Sequence, residues 1–225
     1  MIARNMTGTS RDTDAIRFAI PKGALFADSI AALHAIGVDT GGLADPGRQL
    51  VIKVPGFEFI IGKPSDIPIY VASGAADVGI AGKDVLAELE LDVVEMVDLG
   101  FGECRFVVAE LQDAHATIEE QYAHLGVIRV ATKYPRVAER HFAERGLQVE
   151  IVKLNGNIEI APLIGIADQV VDITQTGTTL RENRLRIVEE VMGSSARFIA
   201  NPVSLRTRSE KVTEMARLLS GVSVQ

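Results

Sequence analysis

Residues 169–180 read QVVDITQTGTTL, and the fold class turns on how the two halves of this stretch join. Gln169 to Ile173 has the β-branched, apolar character of a buried strand. Thr176, Gly177, Thr178 and Thr179 suit neither a mid-helix nor a packed core, so they mark a turn that ends the strand and opens a helix. A strand passing directly into a helix is the repeating unit of an α/β protein.

The same alternation extends in both directions. Upstream, strands are predicted at 16–20, 50–54, 57–61, 78–82, 92–100 and 103–111, with Pro55-Gly56 turning a hairpin. Helices are predicted at 27–37, from a Ser65-Asp66 cap to Ser73, and at 84–90. Further on come strand 128–132, helix 138–146, strand 150–154 and helix 158–165. Beyond the opening stretch lie strands 185–191 and 196–201 and a C-terminal helix near 204–219. The pattern predicts an α/β fold with mainly parallel sheets.

Two internal echoes refine this. IRFAIPKGAL (16–25) resembles IRVATKYPRVA (128–138), each a strand followed by a lysine in the turn. GAADVGIAGKDVL (74–86) resembles GIADQVVDITQTGTTL (165–180), each carrying Ala-Asp before a strand. Their common order suggests two similar lobes facing a cleft. Any two strand–helix units look somewhat alike, so the echoes alone leave duplication open.

Composition narrows the function. With 23 basic and 30 acidic residues among 225, the net charge is −7, which argues against broad nucleic-acid or anionic-membrane binding. No apolar run approaches bilayer length. The single cysteine, Cys104, rules out an internal disulfide and fits a reducing cytoplasm. Histidines 34, 115, 124 and 141 show no zinc spacing. The first fourteen residues read as a polar tail and not as a secretion signal.

A helix N-terminus offers unpaired amides and positive dipole charge to an anion. Gly177 lets the backbone approach a ligand, the threonine hydroxyls add donors, and Asp172 can accept from sugar hydroxyls. Acid, spacer, then Thr-Gly-Thr-Thr suits a ribose 5-phosphate, although an ordinary helix cap explains the same residues. Lys22, Lys83 and Lys133 each follow a strand end, the edge where open α/β sheets bind ligands. Together they suggest a phosphate or pyrophosphate pocket. Asn155-Gly156, followed by Glu159, forms another strand-end turn, with Glu159 facing a sugar, a Mg²⁺ or merely the helix dipole. Arg48 is either a loop charge or an arm reaching the cleft.

Six stretches taken together resemble the short-form catalytic subunit of the ATP phosphoribosyltransferase family. They are AIPKGAL (19–25), SDIPIYVASGAADVGIAGKDVL (65–86), GECRFVVA (102–109), RVATKYPRVAERHF (129–142), KLNGNIEIAPLIGIADQVVDITQTGTTLRENRL (153–185) and SARFIANPVS (195–204). The resemblance implies two lobes like type II periplasmic binding proteins, with the active site between them. It places lobe I at 15–104 plus 187–203, lobe II at 105–186 and a C-terminal helix at 204–225, with no regulatory domain. It implies a cytoplasmic enzyme joining adenine N1 of ATP to 5-phosphoribosyl 1-pyrophosphate, with Mg²⁺, to give N1-(5-phosphoribosyl)-ATP and pyrophosphate.

The resemblance gives Asp172, Thr176, Gly177, Thr178, Thr179, Leu180 and Glu159 to phosphoribosyl pyrophosphate. Lys22, Gly23, Lys133, Asn155 and Gly156 fall to ATP and pyrophosphate, and Lys22, Arg48 and Lys83 to catalysis; metal ligands stay unassigned. A histidyl-tRNA-synthetase-like regulatory subunit, in a hetero-octamer, is the implied partner. Three positions depart from the family pattern: Ala24 and Lys63 stand where arginine is usual, and Arg184 where glycine is usual. The alternative reading is a non-catalytic two-lobed receptor for a small anion, or an inactive paralogue serving as a subunit.

Overall fold

The computed structural model describes residues 15–114, 122 and 126–222; the predicted tail at 1–14, His115 and His124 lie outside them. The described strands form two sheets. In the first, β1 (Ile16–Pro21) lies between β3 (Phe57–Gly62) and β4 (Val78–Gly82), parallel to both. Outside this centre, β2 (Val51–Val54) pairs antiparallel with β3 across the Pro55-Gly56 turn, where Gly56 takes φ +79°. On the opposite side, β11 (Ala196–Ala200) and β5 (Val94–Asp98) complete the order β2-β3-β1-β4-β11-β5.

The second sheet has five strands. Strand β7 (Ile128–Thr132) runs parallel to both its neighbours, β8 (Val149–Lys153) at the edge and β9 (Gln169–Thr174) at the centre. Strands β6 (Cys104–Leu111) and β10 (Leu185–Ser194) join antiparallel. The sheets are therefore mixed, the first with a parallel centre and antiparallel flanks and the second, in the order β10-β6-β9-β7-β8, with an antiparallel half and a parallel half, where the sequence predicts mainly parallel pairing. Buried strands read as apolar runs whichever way they point, so direction is invisible in the pattern.

The chain passes between the sheets twice, from β5 to β6 and from β10 to β11. The crossings are bonded to each other: Leu99 N donates to Ala196 O and Ala196 N to Phe101 O, both at 2.9 Å. Because β10 pairs with β6 along its length, residues 187–194 belong to the second sheet. The predicted lobe boundary at 187 moves to Ser195.

Each lobe has its own core. Phe18, Phe59 and Phe198 are fully buried in the first, with Phe18 stacked 5.9 Å from Phe198. That core also takes Val212, Met215 and Leu219 from α8 (Ser209–Leu219), whose apolar positions recur at helical spacing. Phe106, Val130, Phe142 and Val171 centre the second core.

The echoed segments prove equivalent in detail. The amide and guanidinium of Arg17, in β1, both bond the carboxylate of Asp77, at 2.9 to 3.3 Å. Arg129, in β7, repeats this with Asp168 at 2.6 to 3.2 Å. Each aspartate amide in turn donates at 2.8 Å to the arginine carbonyl. Burial alone would raise the Asp77 pKa, but the Arg17 bonds and the Ser204 hydroxyl outweigh it and hold that carboxyl below its ordinary range. Both staples sit where β1 and β7 begin, so the opposite strand ends are left for a ligand.

Helix boundaries differ locally from expectation. Ser65 and Asp66 make no cap; a 3-10 turn at Pro64–Asp66 leads into α2 (Ile67–Ala72). Helix α1 covers Phe26–Ala35 and α3 Lys83–Leu89. Helix α4 (Pro135–Glu144) starts three residues before its predicted first residue, because proline suits a first helical position. Helices α5 (Ile160–Leu163) and α6 (Thr178–Glu182) are only about a turn long. The C-terminal helix is split at Arg208 into α7 (Pro202–Thr207) and α8, with Asn201 Oδ1 capping α7 from the amides of Val203 and Ser204.

Candidate active site

A cavity of about 750 Å³ lies between the lobes. The first lobe lines it with Ala24, Leu25, Lys63, Pro64, Ser65, Gly82, Asp84, Val85, Glu88, Leu89 and Gly102. Cys104, Lys133, Tyr134, Lys153, Asn155, Ile173, Thr174 and Gln175 line it from the second. Most of these follow the carboxyl ends of β1, β3, β4, β7, β8 and β9. That is the edge at which α/β sheets expose turn amides and short polar side chains. Lys63, Lys133 and Lys153 are among the lining residues, one from the first lobe and two from the second, alongside the acids Asp84 and Glu88.

Asp172, next to the lining residue Ile173 near the end of β9, accepts from the Ile173 amide at 2.8 Å. Its pKa is pushed up to about 6, chiefly by burial and further by the charge of Glu159; the Ile173 amide and Lys133 pull the other way. Asp172 thus feels the charges of both Glu159 and Lys133. A carboxylate poorly matched by its own protein is one that a ligand's hydroxyls or a cation would satisfy.

The turn after β9 is organised by its own threonines. Gly177, at φ +73°, donates its amide to Thr174 Oγ1 at 2.8 Å, and the Thr178 amide approaches Thr176 Oγ1 at 3.4 Å. Thr176 and Thr178 share a hydroxyl bond of 2.9 Å. Arg181 folds back over them, donating to Thr176 O at 2.9 Å and to Thr178 Oγ1 at 3.0 Å. Two amides expected to face an anion are therefore engaged inside the turn, while a guanidinium lies over its hydroxyls. Thr176, Thr178 and Thr179 are exposed; Gly177 and Leu180 are buried. A Cβ on Gly177 would come within 3.2 Å of Ile187 Cδ1.

At the back of the cavity Asp84 ties the lobes together. Its carboxylate accepts from Tyr134 OH at 3.3 Å and from Ser194 Oγ at 3.2 Å, and its amide donates to Ser194 Oγ at 2.9 Å. Burial, then the charges of Asp84 and Asp172, keep the Tyr134 hydroxyl firmly protonated. Burial and Asp84 likewise raise the Cys104 thiol, which makes it a poor nucleophile.

Of the residues singled out in the sequence, Lys133 and Asn155 line the cavity, Asp172 and Glu159 are not in the lining although Lys133 and Glu159 both act on the Asp172 charge, and the Thr176–Leu180 turn continues from Thr174 and Gln175. Gly156 follows Asn155 on an exposed turn. Lys22 and Gly23 are exposed on the turn before Ala24, and Arg48 is exposed on the loop before β2; none of the three is in the lining. Lys83 is drawn away, its Nζ bonded at 2.6 Å to Glu95 on β5. Asp84, Glu88, Tyr134, Lys153 and Thr174 also line the cavity and Arg181 covers the threonine turn, though none of them stands out in the sequence as a site residue. Tyr134 directly follows Lys133 in an echoed turn, and Lys153 ends a predicted strand, so both carried a signal. Among the described residues no three His, Cys, Asp or Glu side chains gather as a metal cluster.

A family model described as ATP phosphoribosyltransferase matches residues 63–221. The chain belongs to the ATP phosphoribosyltransferase family.

The relative from Rubrobacter xylanophilus, named ATP phosphoribosyltransferase, is 50% identical over 197 residues, covering 88% of this chain and 91% of its own. Among solved structures, the ATP phosphoribosyl transferase (HisG:HisZ) complex from Thermotoga maritima matches with a TM-score of 0.78 and 32% identity, over 91% of this chain and 96% of that one. The periplasmic aliphatic sulphonate binding protein SsuA from Escherichia coli matches with a TM-score of 0.58 over 92% of this chain and 71% of its own. At 12% identity that likeness shows the two-lobed fold alone. Membership makes this chain a glycosyltransferase of histidine biosynthesis, acting at the first step by joining ATP to 5-phosphoribosyl 1-pyrophosphate. The family's reaction uses a divalent metal. No helix among the described residues is long and apolar enough to cross a membrane.

Proposed function

We propose that the second lobe holds phosphoribosyl pyrophosphate and that the lysines of both lobes hold the polyphosphates. The observation that carries this is Asp172, half-buried near the end of β9 just before the Thr174–Leu180 turn, whose Thr174 and Gln175 line the cavity, and within electrostatic reach of the lining residue Lys133. Asp172 takes the ribose hydroxyls. The Thr176 and Thr178 hydroxyls, the Thr179 and Leu180 amides and Arg181 take the 5-phosphate, with the Arg181 guanidinium exchanging its bond to the Thr178 hydroxyl for an ion pair with the phosphate. Lys63, Lys133 and Lys153, with Asn155, meet the pyrophosphate and the ATP phosphates; Lys22 and Gly23 serve the rim beside Ala24.

In the reaction, adenine N1 attacks the anomeric carbon as the bond to pyrophosphate breaks, and the electron pair leaves on the departing oxygen. No covalent relay is required, consistent with a protonated Cys104 and Tyr134. The chain's part is to align the two anions and to stabilise charge that develops on the leaving group. Asp172 and Glu159 fit Mg²⁺, which favours oxygen ligands and takes one or two carboxylates beside substrate phosphates. The charge of Glu159 adds to the need of Asp172 for a cation. When bound, Mg²⁺ would supply further neutralisation of the pyrophosphate. The relative solved from Thermotoga maritima is a HisG:HisZ complex, which supports a histidyl-tRNA-synthetase-like regulatory partner, in a hetero-octamer, for this chain also.

The test follows phosphoribosyl-ATP formation by ultraviolet absorbance, with and without a regulatory subunit. Thr178→Val is expected to raise KM for phosphoribosyl pyrophosphate about tenfold or more, the range for a hydrogen bond to a charged group, while KM for ATP moves little. An unchanged KM would remove the turn from the site. Absence of turnover in the wild-type protein, with and without the subunit, would favour the non-catalytic receptor.

A further inference from the structure

Beside the cavity, the two lobes also touch where α3 ends and α4 begins. Arg136 Nη1 donates to Leu89 O at 3.0 Å, and the Val137 amide donates to Glu88 Oε2 at 3.2 Å. Arg140 Nη1 reaches Glu90 Oε1 at 2.8 Å, with Arg136 3.8 Å from the same carboxylate. The carbonyl end of a first-lobe helix therefore faces the amide end of a second-lobe helix. Groups that every helix leaves unpaired at its termini are satisfied here by the opposite lobe.

We propose that this α3–α4 junction is a latch that sets how far the cleft closes. Every bond in it crosses from lobe to lobe, so a rotation that widened the gap by a few ångströms would break them together. The ion pair is well hydrated, with the Arg140 and Glu90 side chains 43% and 51% exposed. Such pairs are individually weak, which suits a junction that must release as well as hold. Glu90 takes a left-handed φ of +49°, which turns the chain at the helix end and aims its carboxylate across the gap. Glu88 and Leu89 also line the cavity, so the latch adjoins the space a substrate fills. Opening would lower the fraction of binding-competent molecules and weaken affinity by that fraction.

The inference rests on contacts between lobes and is independent of which substrate fills the cavity. Its test labels Ala27→Cys and Ala143→Cys, both exposed and one on each lobe, with spin probes in a Cys104→Ala background. The distance between them is measured in the ligand-free full chain. Glu90→Lys and Arg140→Glu, each alone, are expected to lengthen and broaden that distance. Titration calorimetry should show affinity for phosphoribosyl pyrophosphate falling about fivefold in each. The charge-swapped pair Glu90→Lys/Arg140→Glu should recover both. Arg140→Gln gives the same reading if a reversal fails to fold by circular dichroism. An unchanged distance in the single variants, or a swap that recovers nothing, overturns the latch. Distances that shift as expected while no variant, wild type included, binds the pyrophosphate would keep the latch and remove the proposed ligand.

Discussion

Asp172→Asn should make the ligand-free protein more stable while making it a worse enzyme. Burial lifts the Asp172 carboxyl from the ordinary 3.8 to about 6. At about 1.4 kcal/mol per pH unit, carrying its charge into the fold costs roughly 3 kcal/mol. Between about pH 4 and 6 the folded protein holds a proton that the unfolded chain has released. Stability therefore falls as pH rises through that window, and the penalty is complete above it. Asparagine keeps an oxygen to accept from the Ile173 amide and carries no charge. The variant should thus gain up to roughly 3 kcal/mol at pH 8, about half of that at pH 5 and little at pH 4. Urea denaturation at the three pH values measures this directly. The same substitution should weaken phosphoribosyl pyrophosphate binding about tenfold or more. A variant no more stable at pH 8, or one equally stabilised at pH 4, would show that burial is not what raises this acid.

Two further expectations test the scaffold and the cavity. Asp77→Ala should cost about 3–5 kcal/mol, because it strands Arg17 and the Ser204 hydroxyl around a site that is almost fully buried. Asp168→Ala, at the more exposed equivalent staple, should cost clearly less in the same denaturation experiment. The Asp77 carboxyl titrates below its ordinary value, so its contribution is present near neutrality and is lost as pH falls through its lowered pKa in acid. Ala24→Arg adds a forked cation to a cavity that already holds three lysines, and kcat/KM should rise several-fold. No change in steady-state kinetics would mean that Lys63 and its neighbours already complete the anion site.

The features legible in the sequence were those written in short range. Strand 169–173 with its Thr-Gly turn, the hairpin at Pro55-Gly56, and Lys133 with Asn155 at strand ends all depend on neighbours a few residues away. The two echoes were visible as well, and the structure gives them a cause: Arg17–Asp77 and Arg129–Asp168 are the same staple made twice. What stayed hidden depends on pairing between distant segments. Lys83 looked like a ligand-binding lysine because nothing nearby shows that Glu95 will claim it. Strand direction in β6, β10 and β11 is set by the double crossing, which leaves no periodic mark. Asp84 and Tyr134, fifty residues apart, meet only once both lobes are folded. Arg181 reads as a routine helix charge until the five-residue α6 turns it back onto its own threonines.

The paired crossings carry one last consequence. A single tether would let one half of the molecule swivel, tilt and slide; two tethers stitched to each other at Leu99, Phe101 and Ala196 behave like a ribbon. A ribbon flexes readily about one axis and resists torsion. Torsion between the halves would have to break those stitches, whereas bending about the ribbon would leave them whole, so bending is the route by which anything acting from outside would reach the chemistry.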